Sequence, residues 1–151
     1  MPERPWRDRP RRALAALAAL ALAVAACSRG DAPEPVAWNR QACDHCRMLV
    51  GDPAFAAQLR DGSGQVRFFD DPGCLLAFAA ERGLGLDSAW FHHPTQERWI
   101  PGGAVGFAES PRPTPMGYGL VAVEREASAG ALDAAAALER VRARDAARRG
   151  P

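Results

Sequence analysis

Two cysteines, a histidine and a methionine fall within six residues, Cys43-Asp44-His45-Cys46-Arg47-Met48. Thiolate and thioether are soft, polarisable donors that favour Cu(I) over hard cations. A methionine at the end of a CxxC sets this run apart from zinc ribbons and from a plain thioredoxin-type pair. Cys46 and Met48 are two apart, so an extended backbone would project both side chains to one face, where they could grip a single ion. Cu(I) is satisfied by two or three ligands. A third could come from a distant loop, and Met116, held between Pro115 and Gly117, is a reasonable supplier.

Each candidate also has a plainer reading. Methionines usually pack in cores. His45 could be a ligand, a base that lowers a thiol pKa, or a solvated loop residue. Cys43 could be a second thiolate or the disulfide partner of Cys46. Cys74 opens a predicted helix among apolar residues, which favours a buried structural thiol, although a helix N-terminus would also make it acidic. His92 and His93 are adjacent on an expected strand and face opposite ways, so they stay outside the site. Capping explains Asp71 and leaves Asp70 a structural role; Phe69, Trp90 and Trp99 are expected core.

The elements that position these residues follow what reads as an export signal. Arg4, Arg7, Arg9, Arg11 and Arg12 form a basic n-region, and Ala13 to Ala23 an apolar stretch short for a membrane span. Val24-Ala25-Ala26-Cys27 resembles a lipobox, implying cleavage before Cys27 and its acylation, each buried methylene adding roughly 0.8 kcal/mol of anchoring. A simple secretory signal is the other reading. Ser28 after the cysteine favours the outer membrane. Taking residues 1–26 as signal leaves 125 residues, enough for one domain, with 14 arginines, no lysine and 16 acidic residues, or −2. That balance excludes a general nucleic-acid footprint. Three thiols then remain, and an odd number in an oxidising compartment cannot be a closed disulfide framework.

Residues 27–39, with Pro33 and Pro35, read as a tether. The domain is expected over 40–127. Phe55 to Leu59 and Val66 to Phe69 read as a hairpin around Asp61-Gly62-Ser63-Gly64. Asp71 and Pro72 start a helix that Gly83 stops. Ala89 to His93, Arg98 to Ile100, Ala104 to Phe107 and Gly119 to Val123 are further short strands, and Pro111 to Pro115 must be irregular. In the Ala/Arg-rich segment 128–151, Leu132, Ala135, Leu138 and Val141 recur at helical spacing. The fold class is α+β, a single small domain of short mixed strands with one or two helices.

Taken in order, these segments resemble the NosL family of lipoprotein accessory factors for nitrous oxide reductase. The matching residues are Cys43-x-x-Cys46-x-Met48, Phe55-Ala56-Ala57-Gln58, Phe69-Asp70-Asp71-Pro72-Gly73-Cys74, Trp99-Ile100 and Thr114-Pro115-Met116-Gly117-Tyr118-Gly119. Pro72 departs from the aliphatic residue expected there. The resemblance implies a copper chaperone, not an enzyme, lipid-anchored on the periplasmic face of the envelope. It would carry Cu(I) on Cys46, Met48 and Met116, with Cys43 and His45 as further candidates, and deliver it to the reductase's copper–sulfur centre. A homodimer sharing copper between two sites would be chemically reasonable. The alternatives are delivery to another cuproenzyme such as cytochrome oxidase, a thiol–disulfide oxidoreductase using Cys43 and Cys46, and a structural zinc module that adds Cys74. The zinc reading is weakened by the lack of a second clear ligand pair in the sequence.

Overall fold

The computed structural model describes residues 32–150. The expected signal peptide, the lipidation residue Cys27 and the first part of the tether lie outside them. Alternating apolar residues and a turn-forming tetrapeptide give the first hairpin, strands β1 (Ala57–Arg60) and β2 (Val66–Phe69). Ala57 pairs with Phe69 and Arg60 with Val66. The turn is pinned by Asp61, whose carboxylate accepts from the Ser63 and Gln65 N–H groups and from the Arg67 guanidinium. Phe55, expected in the strand, instead closes a single 3-10 turn, Pro53–Phe55, capped by Asp52. Pro53 favours this, since it fixes φ and has no N–H for a strand ladder.

Helix α1 (Pro72–Arg82) starts at Asp71 and ends at Gly83, whose φ of 63° is the left-handed conformation that glycine adopts freely. Every residue from Pro72 to Ala79 is buried, so α1 is a core helix rather than a surface one. Strands β3 (Ala89–His92) and β4 (Trp99–Pro101) extend the hairpin into an antiparallel sheet of order β2-β1-β3-β4. Strands β5 (Val105–Glu109) and β6 (Leu120–Glu124) form a second antiparallel pair. Phe91 and Phe107 meet edge-to-face at 5.3 Å and join the two sheets, while Phe69 and Phe78 at 5.1 Å join the larger sheet to α1. Trp90 is buried as expected, whereas Trp99 is only half-buried, its ring edge-on to His92. The domain is α+β, with six antiparallel strands and two helices among the described residues.

The folded unit begins ahead of the expected boundary at Arg40. The Gln58 side chain, fully buried in β1, exchanges two hydrogen bonds with the Glu34 backbone at 2.7 and 2.8 Å. A buried amide left unpaired would cost about 1–3 kcal/mol, which holds residue 34 against the sheet. At the other end, α2 (Ala134–Arg149) packs on α1. Its inward stripe is Ala137 and Val141 with Ala134 and Leu138 alongside; Ala135, expected in that stripe, faces solvent. The helix begins only at Ala134, after the Asp133 cap, and that phase places 137 and 141 inward. Among the described residues no helix is long and apolar enough to cross a membrane.

At Gly73, α1 leaves no room for a side chain against Tyr118 and α2. A Cβ there would lie 2.7 Å from Tyr118 Cγ and 3.0 Å from Val141 Cγ2. Gly73→Ala should therefore destabilise the domain by about 1–3 kcal/mol through overpacking, read as a lower denaturant midpoint at unchanged slope. An unchanged midpoint would contradict the packing described here.

Candidate metal centre

The Cys43–Met48 run is a closed loop, not a strand. An isolated antiparallel bridge joins Ala42 to Leu49, and the Cys43 N–H donates to the Met48 carbonyl at 2.7 Å. The Arg47 N–H returns to the Cys43 carbonyl at 3.1 Å, and Arg47 itself has a φ of 70°. The extended backbone expected for Cys46 and Met48 is therefore absent, and their spacing of two does not place them on one face. Met48 is 43% exposed and Leu49 54%.

Asp44 fastens this loop to the open side of β2. Its N–H donates to the Phe68 carbonyl at 2.8 Å, and its carboxylate accepts from the Phe68 N–H at 2.9 Å. The loop thus continues the sheet past its edge strand, using one side chain in place of a backbone carbonyl. Arg67 stands 3.4 Å from the same carboxylate, a part-exposed pair of small energetic weight.

Held in this way, the loop meets the end of β2 and the first turn of α1. Donor atoms of Cys43, Cys46, Asp70 and Cys74 all lie within 4.8 Å of one another. Cys43, Asp70 and Cys74 are buried, and Cys46 is half-exposed. All three cysteines are free thiols. Metal–sulfur bonds of about 2.3 Å place two sulfurs on a shared ion about 3.8 to 4.6 Å apart, from tetrahedral to linear geometry. The cluster's limit of 4.8 Å lies close to the upper end of that span, so it could hold a metal ion. Cys74 and Asp70, both expected to be structural, are members of the group in the fold.

Protons are distributed unevenly over these donors. The Cys43 sulfur accepts from the Cys74 thiol and from the backbone N–H groups of Asp70, Cys46 and His45, and this lowers its pKa from 9.0 to about 7 against the cost of burial. Burial pushes Cys46 up to about 12, and its thiol donates to Asp70 Oδ1 at 3.2 Å. Cys74 is raised too, first because its proton is held by the Cys43 sulfur. The helix start does not acidify Cys74, as one sequence reading had it; Cys43, in its ring of N–H donors, ionises first. Asp70 Oδ2 is buried with no hydrogen-bond partner among the described residues. An orphaned carboxylate oxygen beside three thiols is the kind of atom that a cation would satisfy.

The other expected ligands stand differently. His45 lends its backbone N–H to Cys43, and its imidazole is not among the four clustered donors. Met116 lies half-buried against the core that contains Cys43 and Cys74. Its N–H donates at 3.1 Å to Asp71, the fully buried cap of α1. His92 is buried between Trp38 and Trp99, with Nδ1 2.9 Å from the His93 carbonyl, apart from the cluster. The pairing of Cys43 with Cys74 spans more than 30 positions, so no local spacing announced it. The one available signal was the odd thiol count.

Three measurements check this geometry. In the metal-free, reduced protein, thiolate absorbance near 240 nm should rise by one thiolate with a midpoint near pH 7, and Cys43→Ser should remove that step. Because the folded value of Cys43 lies below its ordinary one, stability should increase from pH 7 to 9. Above pH 9 it should fall, since Cys46 and Cys74 keep protons in the folded state that the unfolded chain releases. Separately, Asp44→Ala should cost about 1–2 kcal/mol and speed amide exchange in residues 43–47, with Asp44→Asn recovering most of the loss.

No protein-family model matches this chain, and neither curated proteins nor solved structures return a match. The metal-binding capacity is therefore read from the cluster's own donors and distances.

Proposed function

We propose that this protein is a Cu(I) carrier, anchored to the periplasmic face of the envelope through Cys27, that hands copper to an apo-enzyme. The NosL resemblance makes nitrous oxide reductase the first candidate for that recipient, with cytochrome oxidase the alternative. One observation carries the reading: three thiols and a carboxylate from three separate segments converge within 4.8 Å, with one thiol at the edge of solvent. Cu(I) needs only two or three soft donors, so a buried pair could retain it while Cys46 exchanges with an incoming ligand. Met48, exposed in the same loop, and Met116 are thioethers available for receiving or releasing the ion. Copper here is cargo, and its transfer requires no turnover.

The same observation also favours a second reading. Three sulfurs and one oxygen make a tetrahedral set for Zn²⁺, which binds all four. The two ions separate at Asp70, because a carboxylate oxygen is a poor donor for Cu(I) and a good one for Zn²⁺.

The test is anaerobic competition of the reduced protein against a chromophoric Cu(I) chelator, alongside a Zn²⁺ titration. A carrier should hold Cu(I) tightly and lose at least about 100-fold in affinity on Cys46→Ser or Cys43→Ser, more than supporting residues around a metal typically cost. Asp70→Asn should leave Cu(I) affinity nearly unchanged. Loss of Cu(I) to a modest competitor, or retention undiminished with Cys46 and Met48 both replaced, would end the copper proposal. Tight Zn²⁺ binding that collapses in Asp70→Asn would establish the zinc reading instead.

A further inference from the structure

The peptide groups of Met116 are held on both sides by charged side chains from different helices. Its N–H donates to Asp71, and its carbonyl accepts from the Arg148 guanidinium in the last turn of α2. Asp71 sits between Asp70 and Cys74 in sequence and is fully buried, so it fixes residue 116 relative to two members of the thiol cluster. Its carboxylate also accepts from the Gly73 N–H at 2.8 Å and from the Thr114 hydroxyl. Thr114 closes the loop itself: its carbonyl accepts from the Gly117 N–H at 2.9 Å, and its hydroxyl oxygen from the Gly119 N–H at 3.2 Å. Gly117 and Gly119 have φ values of 61° and 73°, which let the chain turn tightly enough to present Met116 at the bend.

Arg148 is itself held in place. Its guanidinium lies 4.8 Å from the centroid of the buried Tyr118 ring and 3.3 Å from Asp145, one turn earlier in α2. Asp145 also bonds the Tyr118 hydroxyl. Tyr118, two residues after Met116, is therefore gripped from the same helix face. These contacts have little to offer as stability, because Arg148 is 41% exposed and such pairs contribute weakly. Their effect is geometric, since they tie the loop bearing Met116 to the last turn of α2.

We infer that Arg148 is a positioning residue: through the Met116 carbonyl it lets the C-terminal helix set where the loop carries the Met116 thioether, and with it how firmly the site retains its ion. This rests on the carrier reading above. Arg148 touches no ion in this scheme; it acts through the loop backbone. Movement of the last turn of α2 would free the Met116 carbonyl and loosen one soft donor while leaving the three thiols in place.

The experiment uses the full chain, reduced and anaerobic, in two arms. In the first, Cu(I) retention against the chelator is measured for wild type, Arg148→Ala, Met116→Ala and the double variant. Arg148→Ala should weaken retention about tenfold, as loss of a residue supporting a ligand does, and should have no further effect once Met116 is alanine. In the second arm, without metal, amide exchange at Met116 and Gly117 should quicken about tenfold in Arg148→Ala while α1 and β1 stay protected, with Arg148→Lys restoring part of the protection. Equal losses in both Met116 backgrounds, or unchanged exchange at 116–117, would overturn the assignment. If wild type fails to retain Cu(I), the carrier reading falls, and the exchange arm still decides whether Arg148 positions the loop.

Discussion

A single buried carboxylate organises this domain. Asp71 is wholly shielded from solvent, and its two oxygens accept from the Gly73 N–H, the Met116 N–H and the Thr114 hydroxyl. The first contact starts α1 and so sets the position of Cys74. The other two anchor a loop 45 residues further along the chain. Desolvation, and to a lesser degree the neighbouring Asp70 charge, pushes the Asp71 pKa upward, and the three donors oppose that shift. A charge buried without such donors would be costly, so the helix start and the loop stabilise each other.

The neighbouring carboxylate has the opposite character. Asp70 accepts one bond from the Cys46 thiol, and its other oxygen, in the interior, has no partner among the described residues. Around it, one thiol readily gives up its proton and two hold theirs, Cys46 chiefly through burial and Cys74 chiefly through its hydrogen bond to Cys43, with repulsion from neighbouring negative charge adding to both. A metal-free site of this kind is stable near neutrality yet unsatisfied. The half-exposed Cys46 gives it an open side, which matters for any ion that must leave as well as arrive.

The elements around the site were largely legible. The Asp71–Pro72 start, the Gly83 stop and the β1–β2 hairpin depend on interactions within a few residues, and local chemistry determines those. The misplaced features share another cause. Phe55 left its strand for a 3-10 turn, Ala135 turned outward in α2, and Arg47 took a left-handed conformation that broke the expected extended run. In each case a neighbouring segment or cap altered a phase that hydrophobic spacing alone leaves open by one residue.

By itself the sequence determined the donor inventory: three thiols after Cys27, two methionines near glycine-rich or cysteine-rich turns, and the α+β class of the domain. Composition and short-range spacing carry that information because donor type belongs to a residue and secondary structure to its neighbours. Only the tertiary structure decided which donors meet. It brought Cys74 and Asp70 to Cys43 and Cys46, kept the His45 ring out of the group, and left Met48 facing solvent. Convergence of that kind follows from how a loop, a strand end and a helix start pack around a common core, and no pattern confined to a few neighbouring residues encodes it.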